Sequence, residues 1–218
     1  MSEPVIIEAA LNGVTSKRRN ALVPITPEEQ AQDAIGCVDA GATVIHTHTE
    51  HIAAPVEAVV EEYARAYRPV VGARPGTICY ATTGIGATIE ERYRHVELLA
   101  EQHLTRAAFV DTGSVILGGT GPDGLPAGAG YVYTNDFADV AYKMRVCTER
   151  GLGPSIAVFE PGFLRVVLAY AKAGALPRGT LVKLYFSEGG YLDGGEPLWG
   201  LPPTAASLDA YLAMLGDA

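Results

Sequence analysis

Asp39-Ala40-Gly41-Ala42-Thr43-Val44-Ile45-His46-Thr47-His48-Thr49 contains a helix end, a strand and two histidines at the end of that strand. Upstream, Thr26-Pro27-Glu28-Glu29 sets an N-cap, an N1 proline and an N3 glutamate in capping-box order. The helix that starts there stops at Gly41, where a C′ glycine belongs. The β-branched run after it reads as a strand, on which His46 and His48 point to the same side. That spacing lets two imidazoles reach one metal ion. The alternative is one satisfied core histidine and one that caps a loop.

The same helix–strand alternation repeats along the chain. Val5–Ala9, Thr43–Thr49, Thr77–Thr83, Ala107–Thr112, Ser155–Glu160 and Leu181–Phe186 are short apolar runs expected to be strands. Their continuous hydrophobicity suggests cover on both faces, as in a parallel sheet. Helices are expected after Thr26, over Pro55–Tyr67, after the second capping box Thr88-Ile89-Glu90-Glu91, and over Asn135–Arg150, Gly162–Ala173 and Thr204–Leu215. Six β/α units in succession imply parallel strands joined by right-handed crossovers.

An open doubly wound sheet and a (β/α)8 barrel both accept that pattern. No Gly-x-Gly-x-x-Gly follows the first strand, which counts against the dinucleotide-binding open sheet. Asn12, His46, His48, Thr82, Thr83, Asp111, Thr112, Glu160 and Glu188 all fall at or just past strand C-termini. A barrel gathers those ends on one face, so the expectation is an α/β (β/α)8 TIM barrel. About six of its units are expected here, in one domain over 1–218 expected to be C-terminally incomplete.

Composition bounds the function. With 218 residues and 48% apolar content the chain can bury one sizeable core. The net charge of −9 argues against a nucleic-acid partner. No long apolar run and no leader pattern argue against a membrane or secretory role. Cys37, Cys79 and Cys147 fit reduced thiols in a cytoplasm. Lys17-Arg18-Arg19-Asn20 is a basic knot in an acidic protein, either a solvated loop or a docking point for an anion.

A metal on His46 and His48 needs another ligand, commonly a carboxylate. Glu160 in Val158-Phe159-Glu160-Pro161-Gly162 is an internal candidate for the site; its other reading is the N-cap of the next helix. Asp111, ahead of Thr112-Gly113-Ser114, could accept a proton or simply close a turn. Thr82-Thr83-Gly84 offers hydroxyls and an exposed amide for a carboxylate. Glu50 and His51 are expected in solvent. Gly118-Gly119-Thr120-Gly121 and Gly189-Gly190…Gly194-Gly195 lack a Walker lysine and read as mobile loops over the open face.

Val5-Ile6-Ile7-Glu8-Ala9-Ala10-Leu11-Asn12-Gly13, Pro24-Ile25-Thr26-Pro27-Glu28-Glu29 and Ala40–His48 resemble the β-keto acid cleavage enzymes. The likeness continues through Thr82-Thr83-Gly84, Asp111-Thr112-Gly113-Ser114 and Phe159-Glu160-Pro161-Gly162, across essentially the whole chain. It implies a zinc-dependent, oligomeric (β/α)8-barrel acyltransferase. Such an enzyme converts a β-keto acid and acetyl-CoA into acetoacetate and a new acyl-CoA. His46 and His48 would bind Zn2+, and Glu160 and Asp111 would be the catalytic carboxylates. Asn12, Thr82, Thr83, Gly84, Thr112 and Ser114 would line the substrate. Lys17, Arg18 and Arg19 would dock the polyanionic CoA. The family's late-strand glutamate, its third zinc ligand, is expected beyond Ala218. Ala157, and Thr15 or its neighbour, stand where the enzyme that names the family has glutamates, so a neutral or carboxylated keto acid fits better than an amino-bearing one. Two other readings are a metal-dependent TIM-barrel hydrolase and a non-catalytic barrel that binds a metal or a small acid.

Overall fold

The computed structural model describes residues 5–128, 130–190 and 195–216, so Gly194 and Ala218 lie outside the described residues. The chain divides into two compact units. One runs up to Phe109 and takes in Glu149–Leu152; the other comprises Val110–Thr148 and the residues from Gly153 onward.

In the first unit, strands β1 (Glu8–Ala10), β2 (Val44–Thr47) and β3 (Ile78–Ala81) form a parallel sheet in that order, and β4 (Ala107–Phe109) follows. Between them run helices α1 (Pro27–Asp39), α2 (Val56–Ala73) and α3 (Ile89–Glu101). Both expected capping boxes are present, on Thr26 with Glu29 and on Thr88 with Glu91. Gly41 adopts φ 115°, which only glycine takes without strain, and turns the chain from α1 into β2.

The two faces of β2 do different work. Ile45 is fully buried among Ala31, Ala34, Val59, Tyr63 and Tyr67 of α1 and α2. Thr47, also buried, bonds the Tyr67 hydroxyl at 2.9 Å. Val44, His46 and His48 have the opposite parity and face away from that cluster. The register sets Ala10, His46 and Tyr80 side by side on three adjacent strands.

Helix α2 outruns its expected end at Tyr67 and passes through Pro69 to Ala73. A proline inside a helix costs about 3 kcal/mol. The apolar face of Val59, Tyr63, Tyr67 and Val70 continues beyond it, and completely burying a side chain such as Val70 gains about 1.5–3 kcal/mol. Pro69 itself sits on the exposed side, so the helix survives.

The second unit contains a short antiparallel hairpin, β5 (Val115–Leu117) with β6 (Tyr131–Tyr133), then all but the last two residues of α4 (Phe137–Arg150). Parallel strands β7 (Gly153–Val158) and β8 (Leu181–Leu184) follow, with α5 (Pro161–Lys172) between them and α6 (Ala205–Leu215) last. The hairpin breaks the expected unbroken succession of β/α units. Alternation shows on β5, with Val115 and Leu117 buried and Ile116 exposed, whereas on β6 Tyr133 is buried and both Tyr131 and Val132 are exposed. Three-residue strands joined by a long glycine-rich connection give too weak a pattern to be read as a hairpin beforehand.

That connection is also not the free loop expected. Gly118 to Thr120 zip against Gly195 to Leu198 through Thr120 N to Glu196 O (2.9 Å), Gly195 N to Thr120 O (3.0 Å) and Leu198 N to Gly118 O (3.0 Å). A Cβ on Gly119 would come within 2.9 Å of the Gly195 and Glu196 carbonyl oxygens, so these glycines permit two backbones to touch. Trp199, next to this zipper, is buried against Phe159, ring centroids 5.5 Å apart. Among the described residues no helix is long and apolar enough to cross a membrane.

Candidate functional site

At the C-terminal end of β2 the two imidazoles converge. His46 Nε2 lies 3.2 Å from His48 Nε2, with ring centroids 5.0 Å apart. Two nitrogens on a tetrahedral ion at about 2.0–2.1 Å stand about 3.3 Å apart, so the pair already has the edge length of such a site. The other nitrogen of His46, Nδ1, lies 3.2 Å from the Tyr80 carbonyl oxygen. Donation of an Nδ1 proton to that carbonyl leaves the Nε2 lone pair for a ligand. Burial pushes the His48 pKa down to about 4, which keeps its imidazole neutral, the form that binds metals.

His48 is gripped through its backbone. Asn12 gives Nδ2–H to the His48 carbonyl and accepts the His48 N–H on Oδ1, each at 2.9 Å. Buried Gln30 donates to the same carbonyl and to that of Ile25, both at 2.9 Å. Asn12, expected to line the substrate, has both its amide groups engaged by the backbone of His48. Gln30 was missed; its one signal was a polar residue on the apolar side of α1.

Thr82 and Thr83 end β3 half-buried, and His95 Nε2 lies 2.8 Å from the Thr82 carbonyl. Gly84 is required where it stands, since a Cβ would come within 2.6 Å of the Arg92 carbonyl of α3. Beside this loop, a cavity of about 300 Å³ is lined by Ile52, Val56, Val59, Ile85 and His95. Lys17, Arg18 and Arg19 lie exposed on the loop after β1, and Lys17 is paired with Glu29 at 2.7 Å. Glu50 and His51 are exposed as expected, and His51 meets Glu62.

In the second unit the expected residues have other partners. Asp111 is buried and accepts from the Tyr133 hydroxyl (2.7 Å) and from Ala157 N (3.2 Å). Burial raises its pKa, opposed chiefly by the cation of Lys143. Lys143 is itself 1% exposed on α4 and donates to Asn135 Oδ1. Thr112 is fully buried and donates to the Phe163 carbonyl at 2.9 Å. Ser114 donates to Asn135 O and accepts from Asn135 N. Glu160 occupies the N-cap position of α5 without capping it through its side chain; its Oε1 accepts from Gly200 N at 2.8 Å. Nothing in the local sequence announced Lys143 or Tyr133 as partners of Asp111. Among the described residues, no third His, Cys, Asp or Glu joins the histidine pair in a metal-ligand cluster.

Parallel strands, helical crossovers and a strand-end histidine pair define an α/β protein of the kind that builds its site at strand C-termini. The chain belongs to the beta-keto acid cleavage enzyme family, whose model matches residues 4–217. It is 28% identical over 181 residues to the 3-keto-5-aminohexanoate cleavage enzyme of Fusobacterium nucleatum, covering 82% of this chain and 61% of that protein. The enzyme of the same description from Acetoanaerobium sticklandii is 28% identical over 175 residues, 79% of this chain and 59% of that one. A 3-oxoadipate:acetyl-CoA acetyltransferase of Cupriavidus necator is 33% identical over 85 residues, 38% of this chain and 30% of that protein. The chain thus spans about three-fifths of the length of the first two relatives. Among solved structures, the apo structure of ObcA superimposes with a TM-score of 0.60 at 16% identity, over 88% of this chain and 45% of that one. The ternary complex of ObcA with a C4-CoA adduct and oxalate gives 0.59 at 17%, over 88% and 47%.

Proposed function

We propose that this chain works in a zinc-dependent β-keto acid cleavage enzyme, with the (β/α)8 barrel that the family resemblance implies. The reaction converts a β-keto acid and acetyl-CoA to acetoacetate and a new acyl-CoA. The observation that carries this reading is the 3.2 Å approach of His46 Nε2 and His48 Nε2 at the end of β2. His46 Nδ1 faces the Tyr80 carbonyl, and the backbone that carries His48 is fastened by Asn12. Family membership and the acetyltransferase relative support the choice of reaction.

Bound zinc would supply Lewis acidity toward the keto acid carbonyl. The chain's own residues hold and orient. His46 and His48 would hold the ion, Asn12 and Gln30 keep His48 in place, and Thr82 and Thr83 offer hydroxyls to the substrate carboxylate, whereas the expected free amide of Gly84 is taken by the Arg92 carbonyl at 3.0 Å. A proton leaves C2 of the keto acid, and C2 bonds to the acetyl carbonyl carbon while the C–S bond breaks. The released thiolate then attacks the original keto carbon. The old C2–C3 bond cleaves, and acetoacetate takes back one proton. Glu160 is half-buried and is the carboxylate we assign to that proton. Asp111, enclosed by Tyr133 and Ala157, suits support of the scaffold. Arg18 and Arg19 are exposed cations that suit the CoA phosphates. This reading keeps a cytoplasmic, homo-oligomeric protein as its setting.

The test is acetoacetate formation from a panel of β-keto acids with and without acetyl-CoA. Strict acetyl-CoA dependence, lost in His46→Ala, supports the transferase. Turnover without acetyl-CoA sinks it and leaves the hydrolase.

A further inference from the structure

The ring of Tyr80 lies on the ring of His46, centroids 4.4 Å apart and planes 20° apart. Its hydroxyl donates to Glu8 Oε1 at 2.7 Å. Tyr80 is on β3 and Glu8 on β1, with β2 between them. Across two strand spacings, about 9.6 Å, only two long side chains can meet. Tyr80 therefore reaches over the intervening strand, and the imidazole it covers is the one whose Nδ1 faces the Tyr80 carbonyl. Tyr80 is 1% exposed and Glu8 Oε2 is shut off from solvent, so the bridge is built into the sheet face.

We infer that Glu8 and Tyr80 are positioning residues for His46. Tyr80 clamps the imidazole by its ring on one side and its carbonyl at Nδ1, and Glu8 anchors the clamp by holding the tyrosine hydroxyl. A stacked ring alone can slide or tilt on its χ2 rotation. A ring tethered at its far end cannot, and the bearing of His46 Nε2 toward His48 Nε2 is then fixed before any ligand arrives. Groups that orient a metal-binding histidine through its other nitrogen change metal affinity by about 10–100-fold when lost. The effect of Glu8 passes through Tyr80, whose hydroxyl it holds.

The affinity arm of the test rests on the zinc reading above, and a second arm does not. Zn2+ affinity is measured on the full chain by competition with a chromophoric chelator, and the visible spectrum is recorded after loading with Co2+. Tyr80→Phe and Glu8→Val are each expected to weaken Zn2+ binding by about tenfold and to alter the cobalt bands, and Tyr80→Leu by up to about 100-fold. Glu8→Gln, which still accepts from the hydroxyl, is expected to stay near the parent. In the metal-free chain the His46 Hε1 proton lies under the tyrosine ring current. Its NMR shift should move in Tyr80→Leu, and to a smaller extent in Tyr80→Phe and Glu8→Val, while circular dichroism confirms the fold. If the parent binds no Zn2+, the zinc reading falls and the Hε1 shift alone decides the inference. An Hε1 shift unchanged in Tyr80→Leu overturns the clamp. Parent-like behaviour of both Tyr80→Phe and Glu8→Val in every readout overturns the role of Glu8.

Discussion

An imidazole stacked on buried Tyr63, with one nitrogen on a backbone carbonyl, resists taking a second proton. Burial pushes the His95 pKa down to about 4, against a small upward push from its bond to the Thr82 carbonyl. The unfolded chain titrates this group near 6.5. Between about pH 4 and pH 6.5 the unfolded state therefore binds more protons, so stability falls as the pH drops through that window and is level above about 7. His48 acts in the same direction. His95→Gln, which keeps a donor for Thr82, should flatten part of the slope. Urea midpoints measured from pH 4 to 8 check this, and an identical slope in the variant would exclude His95 as a source. The buried pair Asp111 and Lys143 makes a second residue-scale prediction. Lys143→Met alone should cost about 3–5 kcal/mol, because it strands a buried carboxylate, and adding Asp111→Asn should recover most of that. A double mutant no more stable than Lys143→Met would show that the two charges do not compensate each other.

At the scale of elements, the contest between Pro69 and the apolar face of α2 has a measurable outcome. Pro69→Ala restores a donor toward the Arg65 carbonyl at an exposed position, and stability should rise by about 1–3 kcal/mol in chemical denaturation. The helix caps, the parallel strands of the first unit and the histidine pair were legible in the sequence because each rests on local chemistry. Thr26 with Glu29 is a capping box in any context, and His-x-His on a strand shares a face by geometry. The continuation of α2 was not legible, because proline speaks locally and the burial of Val70 is tertiary. Asp111, Thr112 and Ser114 were found as strand-end polar residues, yet their partners lie far along the chain at Tyr133, Phe163 and Asn135. Sequence shows that a hydroxyl is present but not what occupies it. Tyr80 escaped for the same reason: an aromatic in a strand reads as core until the register sets it beside His46.

For the molecule as a whole, ligand binding and folding are one account. A zinc ion held by the folded chain and not by the unfolded one raises stability by RT ln(1 + [Zn2+]/Kd), about 2.7 kcal/mol at a hundredfold excess over Kd. Thermal melts with excess Zn2+ and with chelator should differ accordingly, and His46→Ala should abolish the difference. The chain has a single tryptophan, Trp199, seated on Phe159 in the second unit. Excitation at the red edge, where tyrosine does not absorb, therefore reports on the second unit alone, while the His46 proton under Tyr80 reports on the first. Each half of the molecule carries its own built-in optical or magnetic label. If the two signals melt together, the units are one cooperative body; if they part, the chain folds as two.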